Sequence, residues 1–504
     1  MSIQLIPTSY LTTTVLTCVV GYLVVKLLRR KRYTLPPGPK GLPILGSYLT
    51  LTSGKYEQRE LLNKWAKEYG DIYMFSLFGS RFVILNSYEL VKEAFQSADF
   101  NDRAPILPCN RALNRPNTGL GLISASEGHQ WKEQRNFVSA NLRNVRQSNN
   151  NFEDLVAAQG EKLIQKFTNQ GDSFFDPVTD IYVTVSNNTT KIVFGKTYDY
   201  DDEEFIDMTR KVKGVFDWMG PGSFFYHVPF LAYLPMKINR QGDTAVKGMF
   251  DFLEKEVRRH RQSYHPGDEP KDLIESFFQE QAKKKAKTDD VGSFTDECLK
   301  QLLWDLLLGG VETVSNSLSW YFLFMAQYPE AQAKVQAELD EVVGRDRLPS
   351  LSDRKSLPFT ESTSVECYRF CRLLNVQIPH RTRCDKKLGG YDIPKGTNIG
   401  TNSGWLSSSP SLWKRCDEFV PDRFIDKDTG LFDSKLEAGL AEFGFGRRLC
   451  PGEQLARTEL FVIFTYILHR FTLRLPEGTP ISRDGIDSLT YHPKPYKIKA
   501  IPRP

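Results

Sequence analysis

The chain has 504 residues, of which 40% are hydrophobic and 25% charged, and these proportions are ordinary for a folded globular protein. Its formal net charge of +5 is too small, and its Lys and Arg residues are too scattered, to indicate nucleic-acid binding. The 8 cysteines are too few for a disulfide scaffold and form no C-x-x-C pair, so we expect reduced thiols and no structural zinc site. Length alone predicts roughly two to four domains. Because no repeat or linker divides the chain after its N-terminal region, one large domain is favoured.

The first 32 residues have the pattern of a membrane anchor. Residues 10–28 carry a single charge, Lys26, and the basic cluster Arg-Arg-Lys-Arg follows at residues 29–32. The stretch is about long enough to span a bilayer, and the basic cluster at its end favours a cytosolic location for the rest of the chain. A cleaved signal peptide is the alternative, but its basic residues would precede the apolar run. The prolines that follow predict a stiff hinge over residues 33–48.

Two strands and a short helix are predicted next. Residues 71–77 and 81–85 have strand patterns joined at Gly79-Ser80, and residues 88–95 have a helical pattern. Residues 101–123 are rich in Pro, Gly and Asn, and such long loops in compact domains are often functional. We therefore expect this loop to contribute to a binding pocket.

Three later stretches carry other predictions. Asn187 and Asn188 begin two glycosylation sequons that would face the cytosol, so we interpret them as polar helix or turn residues. Residues 216–235 are apolar for a loop and should pack in the core or contact lipid. Residues 271–290 are highly charged and predict a solvated connection.

A long helix is predicted from about residue 295 to residue 328, ended by Pro329. Gly309-Gly310 near its middle costs roughly 1 kcal/mol per glycine relative to Ala, so close backbone approach is indicated there. Glu312 and Thr313 are also costly in an apolar segment unless they are used or paired. A helix kink in which Thr313 bonds back to a carbonyl is the alternative.

Residues 443–452, Phe-Gly-Phe-Gly-Arg-Arg-Leu-Cys-Pro-Gly, predict a loop that presents Cys450 just before a helix. The helix is indicated by an apolar run to Phe471 that contains no Gly or Pro after Gly452. Free N–H groups and the dipole at a helix N-terminus favour the thiolate. Such a thiolate suits the axial ligand of a haem iron, whereas a buried apolar Cys is the alternative.

This segment matches F-x-x-G-x-R-x-C-x-G at all five fixed positions and resembles the haem-binding signature of the cytochrome P450 family. Further family-like motifs occur in the family's order: W-x-x-x-R at Trp131 and Arg135, A/G-G-x-D/E-T at residues 309–313, E-x-x-R at Glu366 and Arg369, and P-x-R-F at residues 421–424. The resemblance covers nearly the whole chain.

The resemblance implies a mainly α fold with a smaller β region, built round one haem b whose iron is bound by Cys450. It implies catalytic proton delivery by Glu312 and Thr313. A buried structural triad is implied for Glu366, Arg369 and Arg423. Contacts to the haem are implied for Trp131, Arg135, Arg103, His380, Arg448, Phe443, Gly446 and Gly452.

The resemblance also implies a monooxygenase that inserts one oxygen atom of O₂ into a lipophilic steroid, fatty acid or xenobiotic. Electrons would come from NADPH-cytochrome P450 reductase, with cytochrome b5 as a second donor, docked on Lys132, Arg135, Lys414, Arg415 and Arg447. The protein would be a single-pass endoplasmic reticulum protein whose catalytic domain, residues 49–504, lies in the cytosol. Two alternatives are a haem-thiolate isomerase or dehydratase acting on peroxides, and a catalytically silent haem protein on the membrane.

Overall fold

The computed structural model describes residues 33–103, 112–113, 120–147, 152–220 and 237–504. The predicted anchor, most of the apolar stretch 216–235 and most of the loop 101–123 lie outside the described residues. Within the described ranges, none of the helices combines the length and the apolar character that crossing a bilayer requires.

The described part of the chain is mainly helical, with a smaller β region, as the sequence predicts. The α-helices are α1 (Tyr48–Thr52), α2 (Gln58–Tyr69), α3 (Tyr88–Gln96), α4 (His129–Gln147), α5 (Phe152–Asn169), α6 (Val178–Phe194), α7 (Glu203–Met219), α8 (Lys237–Ser263), α9 (Leu273–Thr288), α10 (Asp296–Gln327), α11 (Pro329–Val342), α12 (Pro358–Cys371), α13 (Ser403–Leu406), α14 (Ser434–Glu437) and α15 (Glu453–Arg470). The strands are β1 (Ile72–Leu77), β2 (Ser80–Leu85), β3 (Asp102–Arg103), β4 (His380–Arg381), β5 (Lys386–Leu388), β6 (Tyr391–Ile393), β7 (Asn398–Thr401), β8 (Phe471–Arg474), β9 (Gly485–Ile486), β10 (His492–Pro493) and β11 (Lys499–Pro502).

The largest sheet has five strands in the order β1-β2-β7-β4-β3. β1 and β2 form the predicted hairpin, β2 runs parallel to β7, and the other neighbours are antiparallel. At its far edge the register places Arg103 opposite His380. The sheet thereby brings together two residues that are 277 positions apart (380 − 103) in the chain.

Helix α10 is the centre of the helical region and is buried on nearly all sides. Its first half, from Cys298 to Val311, belongs to one apolar cluster, and its second half, from Val314 to Met325, belongs to another. The Gly309–Thr313 segment therefore lies where the two clusters meet. A helix with no polar face must be covered by neighbours all round, which is why α10 can carry an internal site.

The segment at residues 33–48 is hydrogen-bonded to the globular body. The Thr34 carbonyl accepts from the Asp392 N–H at 2.8 Å, and the Thr34 N–H donates to the Asp392 carboxylate at 2.9 Å. The Pro37 carbonyl accepts from the Met74 N–H at 2.8 Å. A side chain at Gly38 would collide with the Met74 carbonyl, so only glycine allows this approach to β1. The segment predicted as a hinge is therefore fastened to the globular body, and it turns at residues 42–46.

The prediction of a solvated connection over residues 271–290 is wrong, because these residues contain helix α9. Asp272 caps the helix, and Leu273, Ile274, Phe277 and Phe278 are buried on one face. The second half of the helix is rich in Lys and exposed. These charges made the amphipathic pattern of the first half hard to recognise in the sequence. The interpretation of the sequon residues Asn187 and Asn188 is confirmed, since both side chains are buried within α6.

Candidate active site

The loop before α15 holds Cys450 in a closed turn. The Cys450 N–H donates to the Phe443 carbonyl at 2.8 Å, and Gly444 and Gly446 have φ angles of 77° and 64°. A side chain on Gly446 would collide with the Phe95 carbonyl, so this position needs glycine for space as well as for conformation. Gly452 is the N-cap residue of α15, which places Cys450 beside the helix N-terminus as predicted.

Burial and the helix end act on the Cys450 thiol in opposite directions. Burial raises its pKa, and the N–H groups of Gly452 and Glu453, together with Arg135, lower it without outweighing burial. In the protein alone, the helix end therefore offsets only part of the cost of burying a thiolate. A coordinated metal cation deprotonates a thiol outright and would supply the missing stabilisation.

Gly309 faces open space in the middle of an otherwise buried helix. Among the described residues, no heavy atom lies within 4 Å of the position that its Cβ would take. One turn later, the partly exposed Thr313 donates its hydroxyl proton to the Gly309 carbonyl at 2.7 Å, the back-bonding foreseen as the alternative. Gly310 has a different role, because a Cβ there would lie 2.8 Å from the Thr189 hydroxyl on α6. Gly309 thus lies on an open face, whereas Gly310 allows close contact with α6.

Glu312 lies away from this open face. Its side chain is 0% exposed, and its two carboxylate oxygens accept from the Tyr182 hydroxyl at 2.7 Å and the Thr490 hydroxyl at 3.2 Å. Asn316 in turn donates to Thr490 at 3.0 Å. Burial raises the pKa of Glu312, and the bond from Tyr182 only partly opposes this shift. The structure therefore places the acid and the alcohol of the G-x-x-E-T segment in different surroundings.

His380 is held at the sheet edge beside Arg103. Its ring stacks on Phe95 with centroids 3.8 Å apart, and its Nδ1 lies 2.9 Å from the Phe100 carbonyl. Because the carbonyl can only accept, Nδ1 carries the proton. Burial, Arg103 and Arg448 hold the pKa of His380 well below its usual range, so the ring is neutral.

Arg448 is anchored by backbone carbonyls. It donates to the carbonyls of Asn101 at 3.0 Å, Leu122 at 3.0 Å and Ala125 at 2.6 Å. Its guanidinium also lies 4.0 Å from the ring centroid of Trp131, whose indole N–H donates to Leu122 at 3.2 Å. Burial lowers the pKa of Arg448 to about 10, which still leaves it charged at neutral pH.

Arg103 and Arg135 complete the cationic cluster, and neither pairs with a carboxylate of the described residues. Arg103 donates to the Ile378 carbonyl and Arg135 to the Leu449 carbonyl, while the buried Nε of Arg103 has no hydrogen-bond partner among the described residues. Burial and the charge of Arg448 hold the pKa of Arg103 well below its usual range, and burial lowers that of Arg135. These cations are therefore destabilised in the protein alone, and an anionic ligand would relieve them.

The surroundings of this cluster fit haem b. Ile378 and Leu449 beside the cations are 36% and 38% exposed, which gives apolar surface next to positive charge. Haem b is a flat apolar ring that carries two carboxylates and needs one protein ligand for its iron. Cys450, the open face at Gly309 and the cations of Arg103, Arg135 and Arg448 match these three requirements.

Glu366, Arg369 and Arg423 are brought together by the structure. Both carboxylate oxygens of Glu366 accept from Arg369, at 2.7 and 2.8 Å, and Arg423 donates to the same group at 3.1 Å. The other Arg369 donors reach the carbonyls of Ser407, Cys416 and Glu418. The side chains of Glu366 and Arg369 are both 0% exposed, so the ion pair is fully enclosed.

The sequence analysis missed Tyr182 and Asp305. Tyr182 lies on another helix than Glu312, and no local pattern could have linked them. Asp305 did carry a signal, because it is a lone acid inside an apolar helical run. Its partners, the N–H groups of Leu122 and Ile123, come from a loop that sequence alone does not position.

Replacing Arg369 should destabilise the fold. The Arg369→Ala variant leaves the Glu366 carboxylate buried with one partner fewer, and removal of one member of a buried ion pair costs about 3–5 kcal/mol. The free energy of unfolding measures this loss. Arg415→Ala is the matched control, because Arg415 pairs with Glu418 at the surface and should cost less than about 1 kcal/mol. Equal losses in the two variants would contradict a structural role for the buried triad.

The two glycines of α10 should respond differently to alanine. Gly309→Ala should stabilise the fold by up to about 1 kcal/mol, because Ala is the better helix former and its methyl group meets no neighbour. Gly310→Ala should lose this gain, because the methyl group presses on Thr189. The free energies of unfolding of both variants test the difference, and a more stable Gly310→Ala variant would be inconsistent with it.

Comparison with known proteins places the chain in a family. The cytochrome P450 family model matches residues 36–500. Cytochrome P450 2F2 of Mus musculus is 35% identical over 475 residues, which cover 92% of this chain and 93% of that protein. Cytochrome P450 2J5 of Mus musculus is 32% identical over 502 residues (98% and 97%), and cytochrome P450 2F1 of Homo sapiens is 34% identical over 492 residues (95% and 96%). The chain therefore belongs to the cytochrome P450 family, the haem-thiolate monooxygenases in which a cysteine thiolate binds the haem iron.

Proposed function

We propose that this monooxygenase inserts one oxygen atom of O₂ into a lipophilic small molecule, with NADPH as the source of electrons. The observation that supports this most directly is the open face at Gly309 and Thr313, set in a helix that is otherwise enclosed by apolar side chains. A small apolar molecule can be desolvated there beside a hydroxyl group. The apolar surroundings suit a steroid, a fatty acid or a xenobiotic equally.

The proposed residue roles follow from the contacts. Cys450 binds the iron, and Arg103, Arg135, Arg448, Trp131 and His380 surround the haem carboxylates, with Phe443, Gly446 and Gly452 shaping the loop that holds Cys450. Bound haem supplies the activation of O₂. Glu366, Arg369 and Arg423 brace the core and take no part in the chemistry.

Thr313 and Glu312 are proposed to deliver protons into the open face. The Thr313 hydroxyl can turn from the Gly309 carbonyl toward a ligand, and this exchange of partners costs little because one hydrogen bond replaces another. Burial raises the pKa of Glu312, so this carboxyl holds a proton at higher pH than an exposed one. Transfer between the two requires a water or a rotation of Glu312 away from Tyr182.

A separate flavoprotein is the proposed electron donor. The sequence contains no G-x-G-x-x-G strand–helix unit for binding a dinucleotide. NADPH-cytochrome P450 reductase, or cytochrome b5 for a second electron, could dock by charge complementarity on Lys132, Lys414, Arg415 and Arg447. Three of these cations already have acidic neighbours, since Arg447 and Lys132 both contact Glu127 and Arg415 contacts Glu418.

We further propose that residues 1–32 anchor the protein in the endoplasmic reticulum membrane as a single span. The hinge at residues 33–48 would then hold the catalytic domain, residues 49–504, at a set attitude on the cytosolic side. A variant that lacks residues 1–32 should lose most of its binding to microsomal vesicles in a flotation assay. Unchanged flotation would contradict the proposed anchor and would indicate that residues 216–235 bind the membrane instead.

Turnover with purified components tests the reaction class. The haem-loaded protein with reductase, NADPH and O₂ should oxidise members of a lipid and drug panel. Its reduced carbon monoxide complex should show the red-shifted Soret band of thiolate ligation, and Cys450→Ala should lose both the band and the activity. Cys416→Ala, which alters a partly exposed cysteine outside the loop, is the control.

Three outcomes would contradict the proposal. A Soret band without the red shift would exclude ligation by Cys450. Conversion of hydroperoxides without reductase would favour an isomerase or dehydratase. Oxidation that is unchanged in Thr313→Ala would favour a haem protein without the proposed proton delivery.

A further inference from the structure

Asp305 on α10 holds the loop at residues 120–125. Its side chain is 5% exposed, and one carboxylate oxygen accepts from the backbone N–H groups of Leu122 at 2.6 Å and Ile123 at 3.1 Å. The other oxygen accepts from the Gln301 amide at 3.1 Å. All three partners are uncharged, so among the described residues the buried Asp305 carboxylate is hydrogen-bonded by amides alone.

The peptide units on either side of Leu122 are held from two directions. Asp305 takes the Leu122 N–H, whereas Arg448 and Trp131 both donate to the Leu122 carbonyl, at 3.0 and 3.2 Å. A single loop residue thus connects the helix of the open face with the cationic cluster. Displacement of Leu122 would move the carbonyl to which both Arg448 and Trp131 donate.

The loop is shaped for this contact. Gly121 has a φ angle of 83°, and a Cβ at this position would collide with the Asp305 carboxylate. Burial raises the pKa of Asp305 to about 6, and the N–H groups of Ile123 and Leu122 oppose this shift. The loop amides therefore help to keep the group charged at neutral pH.

We propose that Asp305 is a positioning residue that clasps the 120–125 loop to α10 and thereby sets where Arg448 and Trp131 meet the haem carboxylates. The first part stands on the contacts alone, and the second part rests on the proposed roles of Arg448 and Trp131. Through the backbone of Leu122, the clasp connects α10, which carries the open face, with the residues proposed to surround the haem carboxylates.

Amide hydrogen exchange in the haem-loaded protein tests the clasp. Asp305→Leu, which is similar in size and cannot accept a hydrogen bond, should speed exchange at Leu122 and Ile123 about tenfold. Asp305→Asn keeps an acceptor oxygen and should restore most of the protection. Asp296→Asn makes the same chemical change on the same helix, at a side chain that is 48% exposed, and should leave this exchange unaltered.

Loss of haem to an excess of an acceptor apoprotein tests the second part. Asp305→Leu should release haem several-fold faster than the wild type and Asp305→Asn. Gly121→Ala should act in the same direction by pushing the loop away from the intact carboxylate. Unchanged exchange at Leu122 and Ile123 in both Asp305→Leu and Gly121→Ala would overturn the clasp.

Faster exchange with an unchanged rate of haem loss would overturn its role toward the carboxylate cluster. Arg448→Ala separates this result from a failure of the proposed site. If that variant also retains haem normally, the proposed role of Arg448 is wrong, whereas faster loss in Arg448→Ala alone would place the error in the link through Leu122.

Discussion

Taking a guanidinium group out of water costs several kcal/mol unless its donors find acceptors. Arg369 and Arg448 are buried and meet this requirement inside the protein, the first with a carboxylate and three carbonyls and the second with three carbonyls. Arg103 does not, since its Nε is unpartnered among the described residues and its pKa is strongly depressed. Arg369 and Arg448 therefore have their donors satisfied within the protein, whereas Arg103 keeps a buried donor with no acceptor among the described residues.

The rest of the site depends on the same requirement. Arg448 draws the carbonyls of Asn101, Leu122 and Ala125 toward one point, and these carbonyls belong to the backbone that leads into and out of the long loop. Asp305 fixes the loop from the other side with the opposite charge. Arg448 and Asp305 therefore hold the same stretch of backbone from two sides without contacting each other. Each of these charged groups is hydrogen-bonded mainly by backbone peptide groups.

The long helix α10 contains two glycines, an acid and an alcohol that are unusual in an apolar helix, and the structure gives each of them different surroundings. Gly309 leaves one face of the helix open among the described residues, and Gly310 allows α6 to approach, so neighbouring glycines have different surroundings. Glu312 and Thr313 are divided in the same way, the acid toward Tyr182 and the alcohol toward the open face. Because successive residues on a helix point about 100° apart, adjacent positions cannot face the same neighbour.

Local patterns in the sequence determined the helix after Cys450, the β1–β2 hairpin, the extent of α10 and the residues that could form a haem site. Each depends on periodicity, on turn residues or on motif spacing over a few positions. The same reasoning was wrong for α9, because charged residues obscured its apolar face. Local patterns also could not show how deeply Cys450 is buried, and burial opposes the effect of the helix end on the pKa of its thiol. Only the tertiary structure decided that Arg103 lies opposite His380, that Glu312 bonds with Tyr182, and that Asp305 meets Leu122. These contacts join residues more than a hundred positions apart. Their free energies depend on how far charged groups are desolvated, and those surroundings exist only once the chain has folded.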